Sequence, residues 1–182
     1  FYFTEHHQQE DGYLPSPVLL SGMVGMRTKR IKVGTCVLLS PLYHPIRLAE
    51  DIAVVDQATK GRMVAAMGIG YQPSDFDAFG VSIKERALRT EESVEILKKA
   101  WTGESFSYDS RFHNINDVRV TPAAYQEGGP PIWLAGWVPA GLKEQGRWET
   151  VGLQILSNLL VLLRTMLLNI GKRLRKMVRN RS

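Results

Sequence analysis

Near the start of the chain a carboxylate is followed by two adjacent imidazoles, in Thr4-Glu5-His6-His7. Imidazole is the side chain best matched to moving a proton near neutral pH, and it also hydrogen-bonds the edge of a heteroaromatic ring. Read in isolation, the same pair is two loop histidines with no role. No metal site is expected, because neighbours on an extended chain point apart and no His-x-x-x-His spacing occurs. Gly34-Thr35-Cys36-Val37 joins a flexible residue to β-branched ones ahead of Pro41 and Pro45. Cys36 reads equally as a small buried apolar residue or as a nucleophile, with no nearby cation or base to activate it. Gly68-Ile69-Gly70-Tyr71 allows backbone N–H groups to approach an anion, but it lacks the third glycine of a dinucleotide fingerprint. Arg86 and Arg89 open a long helix, where a guanidinium beside free N–H groups can hold a phosphate. The competing reading pairs them with Glu85 or Glu92.

These groups fall where strands end. Short apolar runs alternate with amphipathic stretches, the βαβα pattern of a parallel α/β fold. Phe1-Tyr2-Phe3 reads as a strand end, and a helix from Ser16 carries Leu19, Leu20, Met23, Val24 and Met26 as its apolar stripe. Ile31–Leu39 reads as one strand, and Ile46–Ala58 as a helix stopped by Lys60-Gly61. Met63–Met67 is apolar throughout, as suits a strand buried on both faces. After a turn at Gln72–Asp75, the longest helix runs from Lys84 to Trp101 with Ala87, Val94, Leu97 and Trp101 facing inward. Residues 104–122 suggest a hairpin insertion. A further strand at Pro131–Ala135 leads into Gly136-Trp137 and a helix over Pro139–Arg147. That makes about four strand–helix units, or half of a (β/α)8 TIM barrel, which needs roughly 250 residues.

The 182 residues carry a formal charge of +5, but it is unevenly placed. Seven of the 23 Lys and Arg residues follow Trp148, against the single acidic residue Glu149. Residues 1–148 therefore hold 16 basic and 17 acidic side chains, an ordinary balance that does not point to nucleic acid. A single cysteine excludes an internal disulfide and fits a reducing cytoplasm.

Taken in order, these residues resemble the bacterial-luciferase-like family of flavin-dependent monooxygenases and oxidoreductases over nearly all of residues 1–148. The resembling string runs through Thr4-Glu5-His6-His7, Gly34-Thr35, His44-Pro45-Ile46-Arg47-Leu48-Ala49-Glu50-Asp51 and Asp56-Gln57. It continues through Gly68-Ile69-Gly70-Tyr71, Phe79-Gly80-Val81, Arg86, Trp101-Thr102-Gly103 and Pro130-Pro131-Ile132-Trp133. The resemblance implies a (β/α)8 barrel that binds reduced FMN, or in one branch an 8-hydroxy-5-deazaflavin coenzyme, at the C-terminal ends of its strands. By that resemblance His6 matches the histidine that assists flavin-hydroperoxide chemistry, with His7 beside it. Cys36-Val37, preceded by Thr35, matches a bulged non-prolyl cis peptide under the flavin ring. Gly68-Ile69-Gly70 and Arg86 match the phosphate-contacting loop and arginine, and Gly136-Trp137 matches the end of the next barrel strand. Ile69 stands where luciferase itself has an arginine, which speaks against light emission.

The implied reaction is oxidation of a small organic substrate with reduced FMN and molecular oxygen, the flavin being supplied by a separate reductase. Deazaflavin-dependent hydride transfer is the alternative, and a non-functional or membrane-associated fragment is a third reading. A homo-oligomer is expected by analogy alone. After Arg147 the family reads Gly-Asp-Gly-Trp, whereas this chain reads Trp148-Glu149-Thr150-Val151-Gly152-Leu153. Deleting one G from TGG GGA GAC GGT TGG ATT ACA GAT yields the observed Trp148–Ile155, so residues 149–182 are expected to be an out-of-frame translation. Taken literally, Val151–Ile170 is instead an apolar stretch with a basic flank at Lys172–Arg181, and Arg164 near its centre opposes a simple membrane span. A partial barrel with open edges is expected to be poorly soluble and to bind flavin weakly.

Overall fold

A computed structural model describes residues 1–135. The expectations for Gly136, Trp137, the Pro139–Arg147 helix and the 149–182 tail lie outside the described residues. The elements are β1 (Tyr2–Phe3), α1 (Pro17–Arg27), β2 (Val33–Thr35), β3 (Leu38–Leu39), α2 (Pro45–Thr59) and β4 (Met63–Gly68). They continue as α3 (Pro73–Phe79), α4 (Arg86–Ala100), β5 (Phe106–Asp109), β6 (Asn114–Val118) and β7 (Ile132–Ala135).

β1, β2, β4 and β7 are parallel, and β3 continues the line of β2. The expected single strand over Ile31–Leu39 is thus two pieces, broken at the cis Cys36–Val37 peptide. β2 pairs with the start of β4 (Val33↔Met63) and β3 with its end (Leu38↔Met67), so both pieces stay in register with one neighbour. On its other edge β4 meets β7, from Ala65↔Ile132 to Gly68↔Ala135. All six residues of β4 are buried, which explains its unbroken apolar run. Phe106–Val118 forms the expected antiparallel hairpin outside this sheet.

α2 starts with Pro45, whose missing N–H costs nothing at a first-turn position. It stops at Lys60 and Gly61, both at positive φ, where Lys60 N–H reaches back to Asp56 and Gln57 carbonyls. Its inward face, Leu48, Ala49, Ile52 and Ala53, packs with Val94, Leu97, Ala100 and Trp101 of the α4 region over Met63, Ala65 and Met67. Trp101 donates its indole N–H to the Ala49 carbonyl at 3.1 Å, tying the two helices together.

Three local expectations change. α1 buries Pro17, Val18, Ser21 and Gly25, while Leu19, Met23 and Met26 are exposed and Leu20 and Val24 are half-buried. The reason is close approach: a Cβ at Gly25 would stand 2.3 Å from Thr59 Cγ2, and one at Gly22 3.2 Å from Val55 Cγ2. Only small residues fit there, so the apolar stripe faces away from α2. The supposed turn at Gln72–Asp75 opens α3 instead, with Pro73 in its first turn. The helix expected from Lys84 begins at Arg86, after a 3-10 turn at Ile83–Glu85, and Ala87 is only half-buried.

Candidate active site

The loops at the C-terminal ends of β1, β3 and β4 are drawn together by side chains that reach across them. Glu5, immediately beyond β1, is buried, accepts two hydrogen bonds and makes a third polar contact with His7. Tyr43 Oη donates to Oε1 at 2.8 Å, Leu39 N–H donates to Oε2 at 2.7 Å, and His7 Nε2 lies 2.8 Å from Oε1. Burial raises the Glu5 carboxyl above its ordinary value, opposed by the Leu39, Tyr43 and His7 contacts. Tyr43 is pushed far up, first by burial and then by the Glu5 charge, so its phenol stays protonated and remains a donor.

The two histidines occupy different environments. His7 is buried, bonded to Glu5 and packed on the Phe79 ring of α3 at 4.7 Å between ring centres. His6 is half-buried and stacks on Tyr13 at 5.2 Å, and Tyr13 receives a 2.9 Å hydrogen bond from Thr4 Oγ1. Gln8 Nε2 donates to Ser74 O at 2.9 Å, a second link from this loop to α3.

At the β2–β3 break, Thr35 is buried and gives its hydroxyl to Ala66 O at 2.7 Å, so only its backbone faces other partners. Cys36 is exposed and not the buried apolar residue that one reading expected. Desolvation raises its thiol, which opposes a thiolate nucleophile. Val37 is half-buried, and a Cβ at Gly68 would meet its Cγ2 at 2.6 Å, so glycine is required for this contact. Gly70 has φ of 73° and lies over the Phe76 ring, while Ile69 between the two glycines is half-buried.

α4 is joined to the same end of the sheet by a hydroxyl relay. Ser40 Oγ lies 2.9 Å from Thr90 Oγ1 and 3.4 Å from Gly68 O, and Thr90 bonds Arg86 O at 2.9 Å. The two arginines part here. Arg89 is bound to Glu85 at 3.1 Å and lies 4.2 Å over the Phe112 ring, as its ion-pair reading expected. Arg86 gives Nη1 to Ile83 O at 2.7 Å, but its Nε is buried without a partner. A dry, unpaired donor on a cation is costly unless a ligand acceptor meets it. Asp75 of α3 has a similarly orphaned Oδ1.

Tyr43, Ser40, Thr90 and Asp75 were not singled out from the sequence. Glu5 was visible only as a neighbour of the histidines, and the partners that give it meaning lie 34 and 38 positions away. A cavity of about 410 Å³ lies at the other end of the strands, lined by Gly25, Lys29, Thr59, Lys60 and Arg62 among others. There Arg62 is bound to the carbonyls of Gly25, Thr28, Ile31 and Thr59, which makes it a clamp on the ends of α1 and α2. Among the described residues, no group of three or more His, Cys, Asp or Glu side chains could hold a metal, and no helix is long and apolar enough to cross a membrane.

The luciferase-like monooxygenase family model matches residues 1–158. The chain is 31% identical over 133 residues to the alkanal monooxygenase alpha chain of Photorhabdus laumondii, a match covering 73% of this chain and 37% of that one. The crystal structure of the monooxygenase RslO1 from Streptomyces bottropensis superposes with a TM-score of 0.69 at 30% identity, covering 74% of this chain and 42% of the other. The oxygenating constituent of 3,6-diketocamphane monooxygenase from Pseudomonas putida, solved in complex with FMN, does so with a TM-score of 0.64 at 26% identity, covering 74% and 41%. The chain thus spans about two-fifths of the length of the relatives it matches. The parallel α/β sheet is accordingly part of a TIM-barrel architecture, and the chain belongs to the luciferase-like monooxygenase family.

Proposed function

We propose that this chain carries the cofactor-holding and proton-handling face of a flavin-dependent monooxygenase that oxidises a small organic substrate with reduced FMN and molecular oxygen. The observation that carries the reading is the buried, unpartnered Nε of Arg86 on the helix that Thr90 and Ser40 link to Gly68. An anionic phosphate is the acceptor such a donor fits. Gly68, Ile69 and Gly70 would present backbone N–H groups to it, and Thr35, Cys36, Val37, Gly136 and Trp137 would contact the rest of the cofactor. When bound, reduced FMN supplies the two electrons used to reduce oxygen. His6 and His7 would hold or move protons beside it, and the ring stacked on Tyr13 and the ring held by Glu5 are suited to different steps. A relative described as an oxygenating constituent supports a separate reductase as the source of reduced flavin.

Equilibrium titration of the chain with FMN and with riboflavin tests the reading, because the two differ only in the phosphate. FMN is expected to bind more tightly, and Arg86→Ala to weaken FMN about 10- to 100-fold while leaving riboflavin unchanged, as for loss of a charged hydrogen bond. Equal affinity for the two ligands in the unaltered chain would sink the proposal. Oxygen uptake with reduced FMN above the free-flavin rate, and none with reduced deazaflavin, separates oxygen chemistry from hydride transfer.

A further inference from the structure

Glu5 sits deeper than either histidine. Its side chain is fully buried, and its neighbours present a donor to each oxygen. Leu39 N–H can only donate, and Tyr43 is kept protonated by its surroundings. Those two donors fall one on each carboxyl oxygen, and the remaining contact, on Oε1, is with His7 Nε2 at 2.8 Å. No hydrogen bond engages His7 Nδ1 among the described residues.

We propose that Glu5 is a positioning residue for His7: it holds the proton of the neutral ring on Nε2 and leaves Nδ1 as the nitrogen free to accept a proton at the site. Phe79 packs on the ring from α3, and the Leu39 N–H ties Glu5 to the end of β3, so two separate elements set the ring direction. Tyr43 is the second member of this arrangement, since it shares Oε1 with His7. The assignment gives His7 the ordered, carboxylate-backed ring and leaves His6, stacked on Tyr13, free of any carboxylate partner among the described residues. It deepens the monooxygenase reading and rests on it for its catalytic meaning, but the tautomer itself is a property of the chain without cofactor.

Long-range proton–nitrogen correlation spectra of the four histidine rings test it directly. In the unaltered chain above pH 7, His7 is expected to show a pyrrole-type Nε2 and a pyridine-type Nδ1. Glu5→Gln is expected to move both signals toward a mixture of tautomers, and Glu5→Asp to restore part of the preference. A ring with its proton on Nδ1 in the unaltered chain would overturn the inference, with no need for the variant to fold. So would an unchanged tautomer in a folded Glu5→Gln protein.

In turnover with reduced FMN, Glu5→Gln is expected to lower kcat about 10- to 100-fold, with the KM for FMN changed less than about twofold. A tautomer as expected with no FMN binding would overturn the functional reading alone. FMN binding with the wrong tautomer would overturn this inference alone.

Discussion

Cys36 shows how exposure and reactivity separate at the scale of one residue. It stands exposed at the break between β2 and β3, yet desolvation raises its thiol. A raised pKa means less thiolate at any given pH, and only the thiolate attacks. Alkylation by iodoacetamide at pH 7.5 is therefore expected to be slower than for a free thiol. Its rate should still be rising with pH where the free thiol, with a pKa of about 8.5, has levelled off. A rate profile that levels at or below that of the free thiol would contradict the assignment. Sequence alone leaves Cys36 balanced between buried and nucleophilic; its exposure removes the first reading and its raised thiol opposes the second, and neither the sheet break nor its solvent face is written in the residue types. The histidines differ, because the Thr4–His7 string sits at a strand end that hydrophobic pattern already locates. What pattern leaves hidden is which ring meets Glu5, since that depends on Tyr43 and Leu39 arriving from far along the chain.

At the scale of elements, α1 inverts the usual hydrophobic rule. Leu19, Met23 and Met26 suggest an inward stripe, but the helix lies against α2 through Gly22 and Gly25. Apolar periodicity reports a face that excludes water on average. It carries no information on how closely two backbones approach, and a close approach selects small residues. The contrast is measurable. Gly25→Ala puts a Cβ 2.3 Å from Thr59 Cγ2, which forces a shift of a buried β-branched side chain. The expected loss is about 1–3 kcal/mol, reduced by up to about 1 kcal/mol from better helix propensity. Thr59→Ser, which removes that methyl and keeps the hydroxyl bonded to Val55 O, should recover most of it. Met23→Lys, on the exposed face, is expected to change stability by less than about 0.5 kcal/mol. Thermal melts of the four proteins decide the matter, and a larger effect at Met23 than at Gly25 would show that the apolar stripe is the packed one. The sheet itself was more legible. β4 reads as buried because every residue from Met63 to Met67 is apolar, and β7 reads as its equal beside Pro130-Pro131.

For the whole molecule, the same inversion leaves an apolar surface where a compact domain would have a polar one. Leu19, Met23 and Met26 are each about three-fifths or more exposed, and Phe1 is equally bare. Among the described residues, β1 is hydrogen-bonded to β2 alone, so its other edge offers unpaired backbone groups. A contiguous apolar stripe and a one-sided strand edge both favour association with further chain, whether of the same or another molecule. The two sources of association respond to different changes. Charges on the helix face act on the stripe without touching the sheet, so Leu19→Glu with Met26→Lys is expected to shift the sedimentation distribution toward a single chain at equal concentration. Their opposite signs leave the net charge unchanged, which keeps general electrostatic repulsion out of the comparison. If the distribution is unmoved, the α1 face is not the contact and the β1 edge becomes the surface to alter. If it moves, addition of the double variant to the unaltered chain should fail to form mixed species in proportion to its loss of self-association, because both events would use the same stripe.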